Sequence, residues 1–339
     1  MRRSASAIAT VSALVASVAL VAPAANAGET ITSGGSSYAN SIISTCAQAY
    51  KTDTITYASV GSGTGRNNFT SGTYDFGASD APYSATDKKP ASFTYVPLVG
   101  GPIAVVFNVD GLKSLNLTAK VLGGIMNGRY KTWDDEAIQA LNPKAKLPSS
   151  TINVYYRSGS SGTTQAFANY LRGNGASGYK DNGTWTTATS QSSPVGSSAA
   201  NAQLLVAGVA ATKNSIGYAD LSDVASKGLN FAALRNPVGD YVLPSVKTAS
   251  AFLGTQKVLA NGILDIDYKK AVKGGYNASL VTYALAPTAS SNKAKGTAVK
   301  KFLTYVINSC APSKAPGLNY SPLSAALKAK ALQLVATVK

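Results

Sequence analysis

The sequence predicts an α/β fold with sheets covered by helices, and three observations support that prediction. Strand-like and helix-like apolar runs alternate along the chain. After a 27-residue leader, 312 of the 339 residues remain, enough for two domains with full cores. The only cysteines, Cys46 and Cys310, lie in helix-like runs near opposite ends of the chain. If they pair, the two ends lie together and the middle of the chain forms a separate unit.

Residues 1–27 have the features of a signal peptide. Arg2 and Arg3 give a basic start, Ala5 to Val21 is an apolar run, and Ala25-Asn26-Ala27 is a small-residue cleavage signal. A retained membrane anchor is the alternative, but the run is short for a span and has the wrong flank. We therefore expect an exported protein, secreted or periplasmic, cleaved near Ala27. No cysteine follows the cleavage point, so we expect no lipid anchor there.

Composition excludes several classes of enzyme and favours an anion-attracting surface. The net charge of +16 falls to +14 without the two leader arginines, and its lysines are scattered, so we expect no nucleic-acid partner. The chain has no histidine, which removes a Ser-His-Asp triad and histidine metal sites, and two cysteines cannot form a thiolate zinc site. We expect no metal, no cofactor and no enzymatic activity. In an exported chain the two cysteines suggest one disulfide, with two buried free thiols as the alternative.

The first third of the chain contains most of the predicted strands. In order, we predict a strand at Glu29–Thr32, a helix at Tyr38–Lys51, a strand at Ile55–Val60, a strand and turn at 73–84, and a long strand at Phe93–Val109. Gly100-Gly101-Pro102 interrupts the long strand. Because glycine and proline break regular structure, this tripeptide predicts a hinge.

Helices and short strands alternate in the rest of the chain. We predict helices at Thr118–Met126 and Trp133–Leu141, a strand around Ile152–Tyr156, a helix at Gln165–Leu171, a loop at 172–200, a helix at Ala199–Ala211, strands at Ser215–Asp220 and Asn277–Leu285, and a helix at Thr297–Ser309. Asp134, Asp135 and Glu136 suit the start of their helix, because acids are favourable at a helix N-terminus.

Three segments share one pattern: a strand, then glycine and small hydroxyl residues, then a helix. They are SGGSSY (33–38), GSGTGR (61–66) and RSGSSGTT (157–164). A helix N-terminus offers free N–H groups and partial positive charge, and glycine lets a ligand approach the backbone. Each segment alone is explained by an ordinary helix cap. Three together, one with an arginine, predict an oxyanion site, and none matches a dinucleotide or P-loop motif.

Two long segments resemble the phosphate-binding protein of bacterial phosphate ABC transporters. They are GSGTGRNNFTSGTYDFGASDAPYS (61–84) and residues 133–171, which include RSGSSGTT before a helix. SIGYAD (215–220) and SGGSSY agree with the family in order and spacing. The resemblance runs from residue 30 to about 320. It implies a two-lobed periplasmic-binding-protein fold of type II, with the ligand in a cleft between the lobes.

The resemblance also implies a function, a domain division and a binding site. The protein would capture inorganic phosphate for the membrane permease of a phosphate ABC transporter, and we expect a monomer. Lobe 1 would comprise 28–101 and 277–339, and lobe 2 would comprise 102–276. The ligand-binding residues that the resemblance implies are Ser36, Ser37, Tyr38, Ser62, Asp80, Arg157, Ser161, Gly162 and Thr163.

Asp80 is the residue expected to select phosphate. Phosphate near neutral pH carries a proton and sulfate does not, so a carboxylate accepts a hydrogen bond from the first and repels the second. The alternative role for Asp80 is that of a turn aspartate capping Asp80-Ala-Pro-Tyr. Arg157 could likewise be a surface arginine, but its place between a strand end and a helix start favours anion contact.

One position departs from the family pattern. The family usually has an acid two residues after the arginine, and this chain has Gly159. Without this acid, we expect Arg157 to be less restrained and the cleft to be more positive. Alternative functions are a binder of another oxyanion or of a phosphate ester, or a secreted phosphohydrolase on the same scaffold. The missing histidines and the lack of a paired acidic metal site argue against the hydrolase.

Overall fold

The computed structural model describes residues 28–339. The predicted signal peptide, residues 1–27, lies outside the described residues. Within residues 28–339, no helix is long and apolar enough to cross a membrane.

Strands and short helices alternate along most of the described chain. The strands are β1 Thr30–Gly35, β2 Thr54–Ser59, β3 Phe76–Ser79, β4 Phe93–Asn108, β5 Asn116–Leu117, β6 Asn153–Arg157, β7 Ser197–Ala199, β8 Ser215–Asp220, β9 Asn230–Phe231, β10 Ala233–Arg235, β11 Tyr241–Val242, β12 Lys257–Val258, β13 Leu264–Asp265 and β14 Ser279–Pro287. The helices are α1 Asn40–Ala49, α2 Ser62–Thr70, α3 Ala119–Met126, α4 Glu136–Gln139, α5 Gly162–Gly173, α6 Trp185–Thr189, α7 Ala202–Ala211, α8 Leu221–Ser226, α9 Val246–Leu253, α10 Lys293–Tyr305, α11 Ala311–Lys314 and α12 Ala325–Val335. A π-helical turn, Val306–Cys310, continues α10, and a 3₁₀ turn covers Pro316–Leu318.

One long sheet runs through the protein in the order β2-β1-β3-β14-β4-β8-β6-β7, and β9 also pairs with β4. Strands β1, β2 and β3 are parallel to one another, and so are β6, β7 and β8. The central strands β14 and β4 run antiparallel to their neighbours. Two smaller sheets, β11-β10-β5 and β12-β13, lie outside this order.

The strand β4 joins two halves of the long sheet. Its residues 93–102 pair with β14, and residues 103–108 pair with β8. The change of partner comes directly after Gly100-Gly101-Pro102, the predicted hinge, although β4 continues through it without a break. The strand is buried along nearly its whole length, because helices cover both half-sheets. The result is the predicted α/β fold with two lobes, one on each half-sheet.

The main hydrophobic core runs through both half-sheets, and each half-sheet also has a smaller hydrophobic cluster of its own. Val206, Val209 and Val224 pack against the second half of β4. Phe252 and Leu264 pack with residues of β14 in a different cluster, on the first half of the sheet. Segments α9 and β13 therefore pack on the half-sheet that carries the chain ends.

This packing bears on the division into lobes. We propose the predicted order, with lobe 1 formed by both chain ends and lobe 2 by the middle. Strand β10 still pairs with β5 in the middle of the chain, whereas α9, the next helix, packs on the first half-sheet. We propose that the second boundary lies near Ser245 rather than near Asn277. Lobe 1 then comprises about 28–102 and 245–339, and lobe 2 the residues between.

The two cysteines form a disulfide. The Cα atoms of Cys46 in α1 and Cys310 at the end of the π-helical turn are 5.7 Å apart, and both side chains are buried. The predicted pairing is confirmed. The bond closes a loop of 264 residues and ties the first helix of lobe 1 to its last third.

Most predicted elements are present with ends shifted by a few residues, and two predictions are wrong in extent. The helix predicted at Trp133–Leu141 is only α4, because Asp135 caps it through a bond from Ala137 N, 3.0 Å long. Trp133 is buried before the helix begins, and its indole N–H donates to Asn214 O. The segment 172–200 is not all loop, since it contains α6 and β7.

Candidate functional site

The predicted site residues meet where parallel strands of both half-sheets end. Carboxyl ends of parallel strands share one edge of a sheet, and ligands of α/β proteins bind there. The residues Ser36, Ser37 and Tyr38 follow β1, Asp80 follows β3, Arg157 ends β6, Ser62 begins α2, and Ser161, Gly162 and Thr163 begin α5. The structure therefore brings residues separated by up to 127 positions in sequence into one interlobe cluster.

Local sequence explains why the two helices start at this point. Ser161 caps α5, and its Oγ accepts a hydrogen bond from Thr164 N at 3.2 Å. Gly61 precedes α2 with φ of 92°, a left-handed conformation that favours glycine. A Cβ on Gly162 would lie 2.7 Å from the Ser62 Oγ and 2.8 Å from the Asp80 Cβ. Only a glycine lets the first turn of α5 approach lobe 1 so closely.

Asp80 is buried at the centre of the cluster, with an exposed fraction of 7%. Its Oδ1 accepts hydrogen bonds from Ser36 Oγ at 2.5 Å and from Thr282 Oγ1 at 2.7 Å. Its Oδ2 accepts from Thr163 Oγ1 at 3.0 Å and from Ser62 Oγ at 3.4 Å. Four hydroxyl groups from four different elements thus face one carboxyl group.

Two opposing effects act on the Asp80 carboxyl. Burial raises its pKa because the charged form loses hydration. The hydroxyls of Ser36, Thr282 and Thr163 and the charge of Arg157 act in the opposite direction, since each stabilises the carboxylate. The net pKa is above the ordinary value for an aspartate. The site therefore protonates at a higher pH than an exposed aspartate would.

Arg157 reaches across the lobe interface and is 2% exposed. Its Nη1 donates to Ser37 Oγ at 2.7 Å and to Ser161 Oγ at 3.3 Å, and Nη2 donates to Ala200 O at 2.8 Å. Its Nε is buried and has no hydrogen-bond partner among residues 28–339. A buried guanidinium nitrogen without an acceptor is rare, because it loses hydration without compensation.

The surroundings of Arg157 also explain how it does without a neighbouring acid. Gly159 is exposed, and a Cβ built on it would meet no atom within 4 Å. Neutral oxygens of Ser37, Ser161 and Ala200 hold the guanidinium instead. Burial lowers the pKa of Arg157, while Tyr218 and Asp80 act to raise it. Neutral acceptors leave the positive charge less compensated than a carboxylate partner would.

The lobes touch directly around this site. Gly63 N donates to Ser160 O at 2.9 Å, and Ala202 N donates to Ser37 Oγ at 3.2 Å. With the bonds of Thr163 and Arg157 to lobe 1, these contacts define a closed arrangement of the cleft.

Tyr38 contributes differently from its neighbours. Its ring is fully buried, packs edge-on against Tyr320 with ring centroids 5.6 Å apart, and its hydroxyl donates to Pro102 O at 3.1 Å. The side chain therefore belongs to the core of lobe 1. At the site, Tyr38 can present only its main chain.

Two participants were missed by sequence reasoning. Thr282 lies in the middle of β14, and Ala200 contributes only a carbonyl oxygen. A threonine in a buried strand and a carbonyl in a loop have no local sequence signal. Among residues 28–339 no group of three or more His, Cys, Asp or Glu could hold a metal ion.

Comparisons with known proteins agree with this architecture. The PBP superfamily domain matches residues 20–309 of the chain. The phosphate-binding protein PstS 3 of Mycobacterium leprae is 33% identical over 268 residues, covering 75% of this chain and 71% of that protein. PstS 3 of Mycobacterium tuberculosis (strain ATCC 25618 / H37Rv) is 32% identical over 292 residues, covering 81% of this chain and 77% of that protein.

Solved structures show the same fold at lower sequence identity. A high affinity periplasmic phosphate-binding protein (PfluDING), solved with phosphate bound, superposes with a TM-score of 0.75 at 23% identity, covering 88% of this chain and 92% of the other. A phosphate-binding protein from Stenotrophomonas maltophilia has a TM-score of 0.71 at 19% identity, with 90% and 93% coverage.

The two lobes, the strand that joins them and the site at the strand ends define a periplasmic binding protein of type II, a member of the PBP superfamily. Within that class, the chain belongs to the family of PstS phosphate-binding proteins.

Proposed function

We propose that this protein captures inorganic phosphate in the interlobe cleft between Asp80 and Arg157. The observation that carries the proposal is the Arg157 Nε, a buried donor without an acceptor beside three loops of hydroxyl and N–H donors. A tetrahedral oxyanion supplies acceptors for such a set. The relatives in this family are phosphate-binding proteins, which supports phosphate as that anion.

The hydroxyl groups around Asp80 suit a ligand that carries both acceptors and a proton. A serine or threonine hydroxyl rotates freely about its C–O bond and can donate in more than one direction. When phosphate enters, the hydroxyls of Ser36, Ser62 and Thr163 can turn from Asp80 to the phosphate oxygens. The freed Asp80 oxygen then accepts the proton of phosphate, and sulfate has no proton to offer.

The remaining ligand contacts follow from the helix starts. Gly162 and Thr163 open the first turn of α5, and Ser62 opens α2, so their N–H groups are among those that a helix leaves free. The main chain of Ser37 and Tyr38 approaches from β1. Phosphate would thus be held by both lobes at once, which couples its binding to closure of the cleft.

The cellular role we propose is that of a non-enzymatic solute receptor. After export, the protein would act as a monomer and deliver phosphate to the membrane permease of an ABC transporter. Catalysis and nucleic-acid binding have no part in this proposal. The family membership and the donor set support it, because a site of hydroxyls, one arginine and one carboxyl binds an oxyanion without a nucleophile and its base.

Calorimetric titration tests the proposal directly. The protein is unfolded in denaturant, dialysed free of anions, refolded, and titrated with phosphate and with sulfate at equal ionic strength. We expect saturable phosphate binding with one site per chain and sulfate binding at least about a hundredfold weaker, a difference of about 2.7 kcal/mol. Binding of neither anion, or sulfate binding as tight as phosphate binding, would overturn it.

A further inference from the structure

A second polar cluster connects the lobes behind the anion site. At its centre is Gln203 of α7, in lobe 2. The Gln203 Nε2 donates to Ser37 O in lobe 1 at 3.2 Å and also to the Asp223 carboxylate in α8. The Gln203 Oε1 accepts from Ser59 Oγ in lobe 1 at 3.0 Å. One side chain therefore joins lobe 2 to two points of lobe 1, and one of these is a main-chain oxygen in the anion-binding loop.

The carboxyl group of Asp220 makes a further connection between the lobes. Asp220 caps α8 in lobe 2, and its Oδ1 accepts from Asp223 N at 2.9 Å and from the Tyr320 hydroxyl of lobe 1 at 3.3 Å. The same hydroxyl donates to Tyr38 O at 2.7 Å. The Asp220 side chain is fully buried, and its Oδ2 has no partner among residues 28–339 when it is counted as an acceptor.

The carboxyl groups of Asp220 and Asp223 are neighbours, and the pKa of each is raised. Burial raises the pKa of Asp220 well above its ordinary value, and the nearby charge of Asp223 raises it further. Burial also raises the pKa of Asp223, although hydrogen bonds from Asp220 and Gln203 work against this. With the proton on Asp220, its Oδ2 becomes a donor to Asp223 and is no longer unsatisfied. Asp223 then stays charged and orients Gln203.

We propose that Gln203, oriented by the Asp220–Asp223 pair, is a positioning residue that latches the lobes closed over the anion site, and that the latch weakens when the pair loses its shared proton. Its effect on phosphate rests on the proposed function. Its effect on closure does not, because none of its contacts involves the ligand.

The direction of the pH effect follows from linkage. When the cleft opens, water reaches Asp220 and removes the burial that raises its pKa most, so the pKa falls towards the ordinary value. Loss of the Tyr320 hydrogen bond, which lowers the pKa, acts in the opposite direction and is the smaller effect. The closed form therefore binds more protons than the open form between the ordinary pKa and the raised one. Closure is favoured at the acidic end of that window and is weakened as pH rises through it.

Few other groups near the pair can titrate. Tyr38 and Tyr320 face Asp220 from lobe 1, and burial raises the pKa of each well above the ordinary value, so both stay neutral. The charge of Asp80 acts on Tyr38 from the other side. The pKa of Asp80 is also raised by burial, and Asp80 is unchanged in the variants used below.

Hydrogen exchange tests the latch without any ligand. The amides of Gly63 and Ala202 donate across the lobe interface, whereas the amide of Asp75 donates to Thr32 O within lobe 1 at 2.8 Å. In Gln203→Ala we expect exchange at the first two to accelerate about tenfold and exchange at Asp75 to stay unchanged. The phosphate dissociation rate should rise by a similar factor, with the association rate nearly constant.

Gln139→Ala is the matched control. Gln139 is also a half-buried glutamine of lobe 2, and its Nε2 also donates two hydrogen bonds, but both go to lobe 2 carbonyl groups, of Asn142 and Ala145. We expect exchange at Gly63 and Ala202 and the phosphate dissociation rate to match the parent. Equal values for Gln203→Ala and the parent would overturn the latch.

Asp220→Asn tests the proton. The amide stays neutral at every pH and can donate to Asp223 as the protonated acid does. From about pH 5 to about pH 9, exchange at Gly63 in the parent should rise relative to the variant, and a constant ratio would overturn the proton's role. Taking the ratio at each pH cancels the base catalysis of exchange.

The outcomes separate the latch from the proposed function. A parent protein that closes but binds no phosphate would overturn only the proposed function. A Gln203→Ala variant with unchanged exchange would overturn only the latch.

Discussion

Asp80 and Asp220 are two buried aspartates in equivalent places with opposite surroundings. Asp80 directly follows β3 and Asp220 ends β8, both at the edge of the sheet where the lobes meet. Burial raises the pKa of each. Four hydroxyl donors and the charge of Arg157 stabilise the charged form of Asp80. Asp220 instead has the carboxyl group of Asp223 beside it, and the pKa of Asp220 is raised further than that of Asp80. Burial alone therefore does not set the pKa of a buried carboxyl group; the donors and charges around it also do.

The largest expected effect comes from removing Arg157, the cation whose charge acts on Asp80. Arg157→Ala removes the positive charge that acts on Asp80 and the guanidinium donors to the anion. We expect phosphate affinity to fall by about thirtyfold or more, since truncating one member of a buried hydrogen-bonded charge pair, here the guanidinium and the bound phosphate, costs about 2–5 kcal/mol. Arg172→Ala removes an exposed arginine of α5, the helix that follows Arg157 in the chain, and should leave affinity unchanged. Calorimetry measures both, and a loss below about tenfold in Arg157→Ala would contradict this account of the site.

The second prediction concerns the replacement of each buried aspartate, Asp80 or Asp220, by the neutral asparagine. Asp80→Asn removes the repulsion of sulfate, so we expect the preference for phosphate to fall by roughly ten- to a hundredfold, from about 1.5–3 kcal/mol for a charged hydrogen bond. Asp220→Asn should leave that preference as it is, because it faces no ligand. Titration of both variants with both anions decides. An Asp80→Asn protein that rejects sulfate as strongly as the parent would show that selectivity lies elsewhere.

The third prediction uses pH in place of mutation. Because the pKa of Asp80 is raised, its carboxylate is lost at a higher pH than that of an ordinary aspartate as the solution is acidified. Sulfate does not change its charge in this range. We expect sulfate affinity to rise in the parent as the solution is acidified from neutral pH towards the ordinary aspartate pKa, and to stay flat in Asp80→Asn. The same slope in both proteins would mean that another group titrates.

The smallest expected effect concerns Gly159. The backbone of Gly159 is outside the left-handed region, and a Cβ built on it would meet no atom within 4 Å. The variant Gly159→Asp therefore fits without strain. The new carboxylate would be exposed and screened, and exposed ion pairs contribute about 0–1 kcal/mol. We expect phosphate affinity to change by less than about fivefold and the preference over sulfate to stay constant. Gly159→Asn separates charge from side-chain volume, and an altered preference in the aspartate variant would mean that position 159 contacts the ligand.

The sequence predicted the site well where function is carried by local patterns. The cap Ser161 and the glycines around it are visible as a strand, a small-residue loop and a helix in succession. Arg157 was found because it lies in such a loop, whereas Asp80 was assigned through the family resemblance. The helix at Trp133–Leu141 was predicted too long because an apolar period continues past the residues that tertiary packing makes helical.

What the sequence did not reveal depends on contacts between distant segments. Thr282 is one of several small polar residues in a buried strand, and only its place opposite β3 turns its hydroxyl to Asp80. Gln203 lies on an otherwise apolar helix, and its partners are 144 and 166 positions away in the chain. No local pattern encodes such pairs.

By itself, the sequence determined the α/β alternation, the positions of the anion-binding loops and the disulfide between the chain ends. These depend on properties of neighbouring residues: hydrophobic period, helix caps, glycine conformation and the scarcity of cysteines. Only the tertiary structure decided how far the pKa of each buried aspartate is raised. Asp80 and Asp220 are the same residue type at similar strand ends, but folding surrounds Asp80 with hydroxyl groups from four segments and the nearby charge of Arg157, and it buries Asp220 completely beside Asp223.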